Sequence, residues 1–296
     1  MFLDLSDRLR YQEKDGRSDS GQLTVNQNYL ENDLMGALSY SLNDVSQIKA
    51  GAGYEFRTWD DDEYGEGTGA YAGRANNYDQ LKANGSYVHQ IRPETTFAMG
   101  GINYVNHEYE GTRGGYDAVT AYGGVDHNFN PNMLGTLQLG YSFSSVDSVY
   151  TGTSNSDSTS SPFLQAGLDY DATDRTTFTA DLGYSLTASE NSYYNASDAL
   201  NMSLGARHDL TGKISISSTL TYIFSKYDSA YSSLGLPDSD ENYLRFALRG
   251  SYQINRNNFV DLGYDFAKRD STSGVATPGM QEYGRNRIDL GWRLRF

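Results

Sequence analysis

The segment Ile288 to Phe296, IDLGWRLRF, restricts the fold of this chain more than any other. Successive side chains of a β-strand point to opposite faces, so Ile288, Leu290, Trp292, Leu294 and Phe296 share one side while Asp289, Gly291, Arg293 and Arg295 share the other. One face is oily and the other is charged. Such a strand rests only where its two faces meet different surroundings.

The alternation recurs along the chain. Leu3, Leu5, Leu9 and Tyr11 oppose Asp4, Ser6, Arg8 and Arg10, and Ile48, Ala50, Ala52, Tyr54 and Phe56 oppose Lys49, Gly51, Gly53, Glu55 and Arg57. Tight turns read Asn43-Asp44, Arg92-Pro93-Glu94, Asn130-Pro131-Asn132, Thr173-Asp174, Thr211-Gly212 and Asn255-Arg256-Asn257, at intervals of about 40 to 50 residues. Asn, Asp and Gly tolerate unusual backbone angles there, and Pro presets one. Between the turns lie polar stretches such as 60–74, 148–161 and 229–242, which predict long loops on the opposite rim. The unit is a repeated hairpin.

Aromatic residues mark the same heights in each unit. Tyr54, Tyr141, Tyr184, Tyr222 and Tyr264 fall near one end of the ascending strands, and Tyr40, His89, His127, Tyr170, His208 and Tyr252 fall near the tight turns. Two belts separated by one strand length of Leu, Ile, Ala and Gly match the two interfaces of a bilayer. The pattern predicts an all-β fold, a transmembrane antiparallel up-and-down β-barrel forming one domain over 1–296. Fourteen strands are expected at about 2–15, 26–42, 45–59, 75–90, 95–109, 115–129, 132–147, 159–171, 175–188, 197–210, 213–228, 241–254, 257–272 and 282–296. An added hairpin within 12–28 would make sixteen, and mixed parity around Phe97 to Tyr104 predicts a bulge.

Composition agrees. The chain is only 38% hydrophobic yet carries 25 Tyr, 12 Phe, 31 Gly and 5 Pro. No run of about 18 apolar residues offers a membrane helix, whereas a barrel needs only alternate residues apolar. The net charge of -15 argues against nucleic acid, and the absence of Cys excludes disulfides and thiolate chemistry. Met1 is followed at once by strand-like sequence, so the expectation is a start placed on a mature or trimmed segment.

No catalytic constellation is expected, and no enzyme or cofactor is predicted. His89, His127 and His208 share the apolar register at the short-turn rim while His107 sits near the other rim, so they cannot converge on a nucleophile. The glycines of 65–73 are followed by no helix-forming segment, which removes a phosphate loop. Asp60, Asp62 and Glu63 form a weak candidate Ca²⁺ site, with a solvated acidic loop as the plainer reading.

What remains is the polar face. Arg8, Arg10, Lys49, Arg57, Lys82, Arg245, Arg249, Arg285, Arg287, Arg293 and Arg295 all point inward, and joining the last strand to the first would make them one basic wall. Asp126, Asp169, Asp181 and Asp209, with Asp171, line the opposite arc, where Arg207 is the exception. A field across a lumen orients charged solutes. The competing expectation is that Glu55, Asp261, Asp265 and Asp289 pair with the cations and fill a narrow lumen.

With Leu139-Gly140-Tyr141-Ser142-Phe143, Leu262-Gly263-Tyr264-Asp265-Phe266 and the terminal Trp292-Arg293-Leu294-Arg295-Phe296, the chain resembles bacterial outer-membrane β-barrels, and in particular the β-barrel porins encoded beside exopolysaccharide-secretion systems. The resemblance implies a bacterial outer-membrane location and passage of a polysaccharide or of smaller hydrophilic solutes. It implies contact with outer-membrane lipid and with periplasmic secretion components. It also implies that Trp292, Leu294 and Phe296 form the signal read by the barrel assembly machinery. A structural or adhesive barrel acting through its loops, and a translocator domain of a larger secreted protein, are the alternatives.

Overall fold

The computed structural model describes residues 1–14, 27–59, 77–110, 114–150, 153–188, 194, 196–228, 237–271 and 282–295. They form β1 Phe2–Lys14, β2 Gln27–Asn43, β3 Ser46–Trp59, β4 Tyr78–Arg92, β5 Thr96–Tyr109, β6 Gly115–Asn130 and β7 Met133–Tyr150. The second half adds β8 Thr153–Thr173, β9 Thr176–Ala188, β10 Ala196–Thr211, β11 Ile214–Tyr227, β12 Ser239–Gln253, β13 Asn258–Ser271 and β14 Tyr283–Leu294. All fourteen belong to one antiparallel sheet in sequence order, and no helix occurs among the described residues. β1 and β14 are the two edges and are not paired with each other. Residues 15–26, where a further hairpin was weighed, lie outside the described residues.

Register fixes the two faces. Leu38 lies opposite Ala50, Ala50 opposite Gly85, Gly85 opposite Ile102 and Ile102 opposite Ala121, so the apolar positions of successive strands meet on one side. Leu5, Ile102, Leu139, Leu204, Leu262 and Leu290 all stand exposed on that side, an arrangement suited to hydrocarbon as solvent.

The short turns share one device. At Asn43, Asn130 and Asn255 a side-chain amide oxygen accepts the N–H two residues on, at 3.0, 2.9 and 3.0 Å, and the hydroxyls of Thr173 and Thr211 do the same at 3.2 and 3.1 Å. The remaining turn instead places Glu94 at φ 60° after Pro93, and Asn128 donates to its carbonyl at 2.7 Å. Register shifts fall beside these turns, between Ser41/Asn43, Gln90/Arg92, Asn128/Asn130, Asp171/Thr173 and Asp209/Thr211. Each shift lets a short loop join two strands without reversing their faces.

Two expectations are corrected. β5 pairs with β6 without a register shift: Ala98, Gly100, Ile102 and Tyr104 face outward, while Phe97 and Met99 sit on the polar side and blur the pattern. Met99 is accommodated there because Gln138 donates to its sulfur at 3.4 Å. The stretch expected as a loop at 148–161 is instead the continuation of β7 and β8, paired from Val149/Ser154 through Ser142/Ser161. Hydroxyl pairs such as Ser145 to Ser156 at 2.8 Å accompany this polar ladder, which needs no apolar face once it leaves the membrane.

Candidate functional site

The polar face of β1 to β4 is organised around two carboxylates. Buried Glu31 on β2 lies directly across from both Arg10 and Arg57, accepting from Arg57 at 2.5 and 3.1 Å and from Arg10 at 3.3 Å. The Arg57 guanidinium also lies over the rings of Tyr29 and Tyr78, at 4.7 and 5.1 Å. Glu55 takes Lys82 at 2.6 Å and the Tyr78 hydroxyl at 2.5 Å.

β12 to β14 repeat this on the other edge. Asp265 accepts from Arg245 at 2.8 and 3.2 Å and from Arg249 at 2.7 Å, Asp289 holds Arg287 at 2.5 Å and reaches Arg249 at 3.5 Å, and Asp261 meets Arg293 at 3.4 Å. Above them Arg269 and Glu241 form a fully buried ion pair. Neither residue stands out in the sequence, although their inward parity would have marked them.

Position and pairing divide the inward cations of the expected basic wall. Its halves lie on opposite edges of a sheet whose edge strands are not paired, and most of its cations are already matched to carboxylates. Arg8, Lys49, Arg285 and Arg295 make no ion pair with another described residue. On the facing arc Asp209 is paired with Arg207 at 3.3 Å, and Asp171 accepts from the Thr177 hydroxyl at 3.0 Å. Asp126 comes within electrostatic range of Lys49, and Asp169 and Asp181 form no ion pair among the described residues.

Glycines on this face let long side chains lie flat. A Cβ at Gly263 would meet the Arg249 guanidinium at 2.1 Å, one at Gly53 the Met35 sulfur at 2.1 Å, and one at Gly101 the Tyr122 hydroxyl at 2.7 Å. The occupied space is thus the wall itself.

The outer rim is packed differently. β8 pairs with β9 only from Leu164 downward; above that point β8 pairs only with β7, which itself stays paired with β6 as far as Val146. Val146 joins Tyr116 of β6, Ala196 of β10 and Tyr227 of β11 around Tyr194, which is 0% exposed. The Tyr194 ring lies 5.0 Å from Tyr227 and its hydroxyl donates to the Pro237 carbonyl at 2.6 Å. Burial, with Asp238 nearby, pushes its phenol above the ordinary tyrosine range, so it remains a donor.

The histidines do not converge. His89, His127 and His208 lie beside the turns on the apolar face, their Nδ1 atoms hydrogen-bonded to the hydroxyls of Ser46, Thr96 and Thr176 at 3.0, 2.9 and 2.8 Å. His107 is buried on the polar face among Tyr78, Tyr109 and Tyr116. Trp292 and Leu294 face outward on the β14 edge, where the Trp292 indole donates to Asn258 at 3.1 Å. Phe296, Asp60, Asp62 and Glu63 lie outside the described residues.

Residues 153–296 match the sequence family described as "Putative beta-barrel porin 2". The FrpB iron transporter from Neisseria meningitidis superposes with a TM-score of 0.56 at 13% identity, over 94% of this chain and 51% of that one. The ferric citrate transporter FecA gives 0.56 at 13% identity over 98% and 52%. The alcaligin receptor FauA from Bordetella pertussis gives 0.51 at 12% over 97% and 53%. The fold is that of the outer-membrane β-barrels. Its apolar face is the lipid face of a bacterial outer-membrane protein, with the short turns on the periplasmic rim. The chain spans about half the length of these solved barrels. No curated protein matches it.

Proposed function

We propose that this outer-membrane barrel is a pore for hydrophilic solutes, with anionic solutes favoured and an acidic exopolysaccharide as the polymer class exported. One observation carries the reading: long inward side chains lie along the wall over glycines, Arg249 over Gly263, Tyr122 over Gly101 and Met35 over Gly53. Arg8, Lys49, Arg285 and Arg295 supply cations without a carboxylate partner among the described residues, which suits anions. The porin-family match of residues 153–296 supports transport. Outer-membrane lipid, the assembly machinery, through Trp292, Leu294 and Phe296, and periplasmic secretion components are the proposed partners.

Single-channel recording in planar bilayers tests this reading. Stable conductance that an acidic oligosaccharide reduces is the expected result, and a silent barrel refutes it. The packed mouth around Tyr194 favours a second reading, a sealed structural barrel, for which silence is the expected outcome.

A further inference from the structure

The periplasmic rim holds a cavity of about 330 Å³ between the β8–β9 and β10–β11 turns and the end of β12. Arg175, Arg207 and Lys213 line it, with Asp209 as the one carboxylate in the lining. Asp209 is taken by Arg207 at 3.3 Å, whereas neither Arg175 nor Lys213 forms an ion pair with another described residue. The cavity therefore carries two uncompensated positive charges.

Both of these cations sit on turns that are held in place. The Arg175 carbonyl accepts the Asp209 N–H at 2.8 Å, and the Lys213 carbonyl accepts the Gln253 N–H at 2.8 Å. The hydroxyls of Ser215 and Ser251 and the amide of Gln253 add neutral hydrogen-bonding groups. Phe259 supplies an apolar floor, and the Arg293 guanidinium lies over its ring at 4.9 Å. Cations, hydroxyl partners and an aromatic surface together suit a small ligand with one anionic group and a polar, partly apolar body.

We infer that this cavity is a binding site for a carboxylate-bearing monosaccharide unit at the periplasmic entrance. The ligand class rests on the export reading above, but the site does not depend on conduction. Arg175 and Lys213 bind the carboxylate, Ser251 and Gln253 the ring hydroxyls, and Phe259 packs against the sugar face.

Calorimetric titration of the whole chain in detergent, with glucuronate as probe and glucose as the neutral control, tests the inference. Glucuronate binding that glucose does not reproduce, and that weakens about tenfold or more in the doubly substituted Arg175→Gln, Lys213→Gln protein, is the expected result. Lys268→Gln, which removes a positive charge at the opposite rim where the lysine is paired with Asp270, serves as a control and should leave binding unchanged. Circular dichroism establishes that each variant retains its sheet. Equal binding of both sugars, no binding of glucuronate, or a double variant that binds as the parent does would each overturn the site. A barrel that binds glucuronate but conducts no current keeps the site and removes the pore. A conducting barrel that ignores glucuronate removes only the site.

Discussion

Replacing Asp265 with Asn tests the charge arrangement most directly. Its carboxylate is 5% exposed and accepts three hydrogen bonds from Arg245 and Arg249, whose side chains are 35% and 43% exposed. Both guanidinia can regain water, so the stability cost falls near the lower end for broken charged pairs, about 1–3 kcal/mol. The electrostatic effect is a gain of one positive charge on the wall. For an ion passing about 8 Å away in water that charge is worth roughly 0.5 kcal/mol unscreened, and about 0.2 kcal/mol at physiological salt. Because anion and cation are affected with opposite sign, the anion-to-cation permeability ratio should rise about two- to sixfold, more at low salt. Reversal potentials across a KCl gradient read this ratio. A conducting Asp265→Asn barrel with an unchanged ratio, or one shifted toward cations, would show that this wall does not face the ion path.

Further outcomes follow from the packing. Tyr194→Ala should raise single-channel conductance by opening the outer mouth, and the raised Tyr194 pKa implies that the parent conductance attributable to this contact stays constant from about pH 6 to 9, because the phenol remains protonated across that window. Gly140→Ala should destabilise the barrel in urea, since its Cβ would meet the Ala121 carbonyl at 2.2 Å, whereas Gly85→Ala meets nothing within 4 Å and should unfold as the parent does. Asn130→Ala and Thr211→Ala should each cost about 0.5–1 kcal/mol by the same assay, through loss of the side-chain bond that closes a short turn. Equal unfolding midpoints for Gly140→Ala and Gly85→Ala would refute the close-approach argument.

The number of strands, their two faces and all six short turns were readable because they rest on period-two alternation and on local turn chemistry. Inward parity also named Glu55, Asp261, Asp265 and Asp289 as carboxylates that pair, but not which cation each one takes. Arg249 lies directly across from Gly263, Arg245 from Ala267 and Lys82 from Gly53, yet each bonds to a carboxylate two positions along the neighbouring strand, Asp265 or Glu55. A small direct partner lets the long cation lean diagonally. Which diagonal it takes depends on how the side chain leans across two strands paired without a register shift, and period-two alternation does not specify that. The outer mouth was hidden for a related reason. Its packing joins Tyr116, Val146, Tyr194 and Tyr227, which are far apart in sequence and meet only when the sheet curves. Phe97 and Met99 misled in the opposite direction, since apolar residues on a polar wall imitate a slipped register.

Pairing also separates two properties that a list of cations merges. Far from the wall, charges superpose, so Lys49→Gln and Arg249→Gln each remove one positive charge and should shift reversal potentials toward cations by comparable amounts. Close to the wall they differ. Arg249 is engaged with Asp265 at 2.7 Å and Asp289 at 3.5 Å, whereas Lys49 makes no ion pair with another described residue and is free to meet a passing anion. Lys49→Gln should therefore weaken the dependence of conductance on anion concentration with little change in urea stability, because no carboxylate loses a hydrogen-bonded partner and Asp126 loses only a charge within electrostatic range. Arg249→Gln should do the reverse, lowering stability by about 1–2 kcal/mol as Asp265 keeps only Arg245. If both variants changed anion dependence and stability alike, ion pairing would not be what divides this wall into structural cations and solute-facing ones.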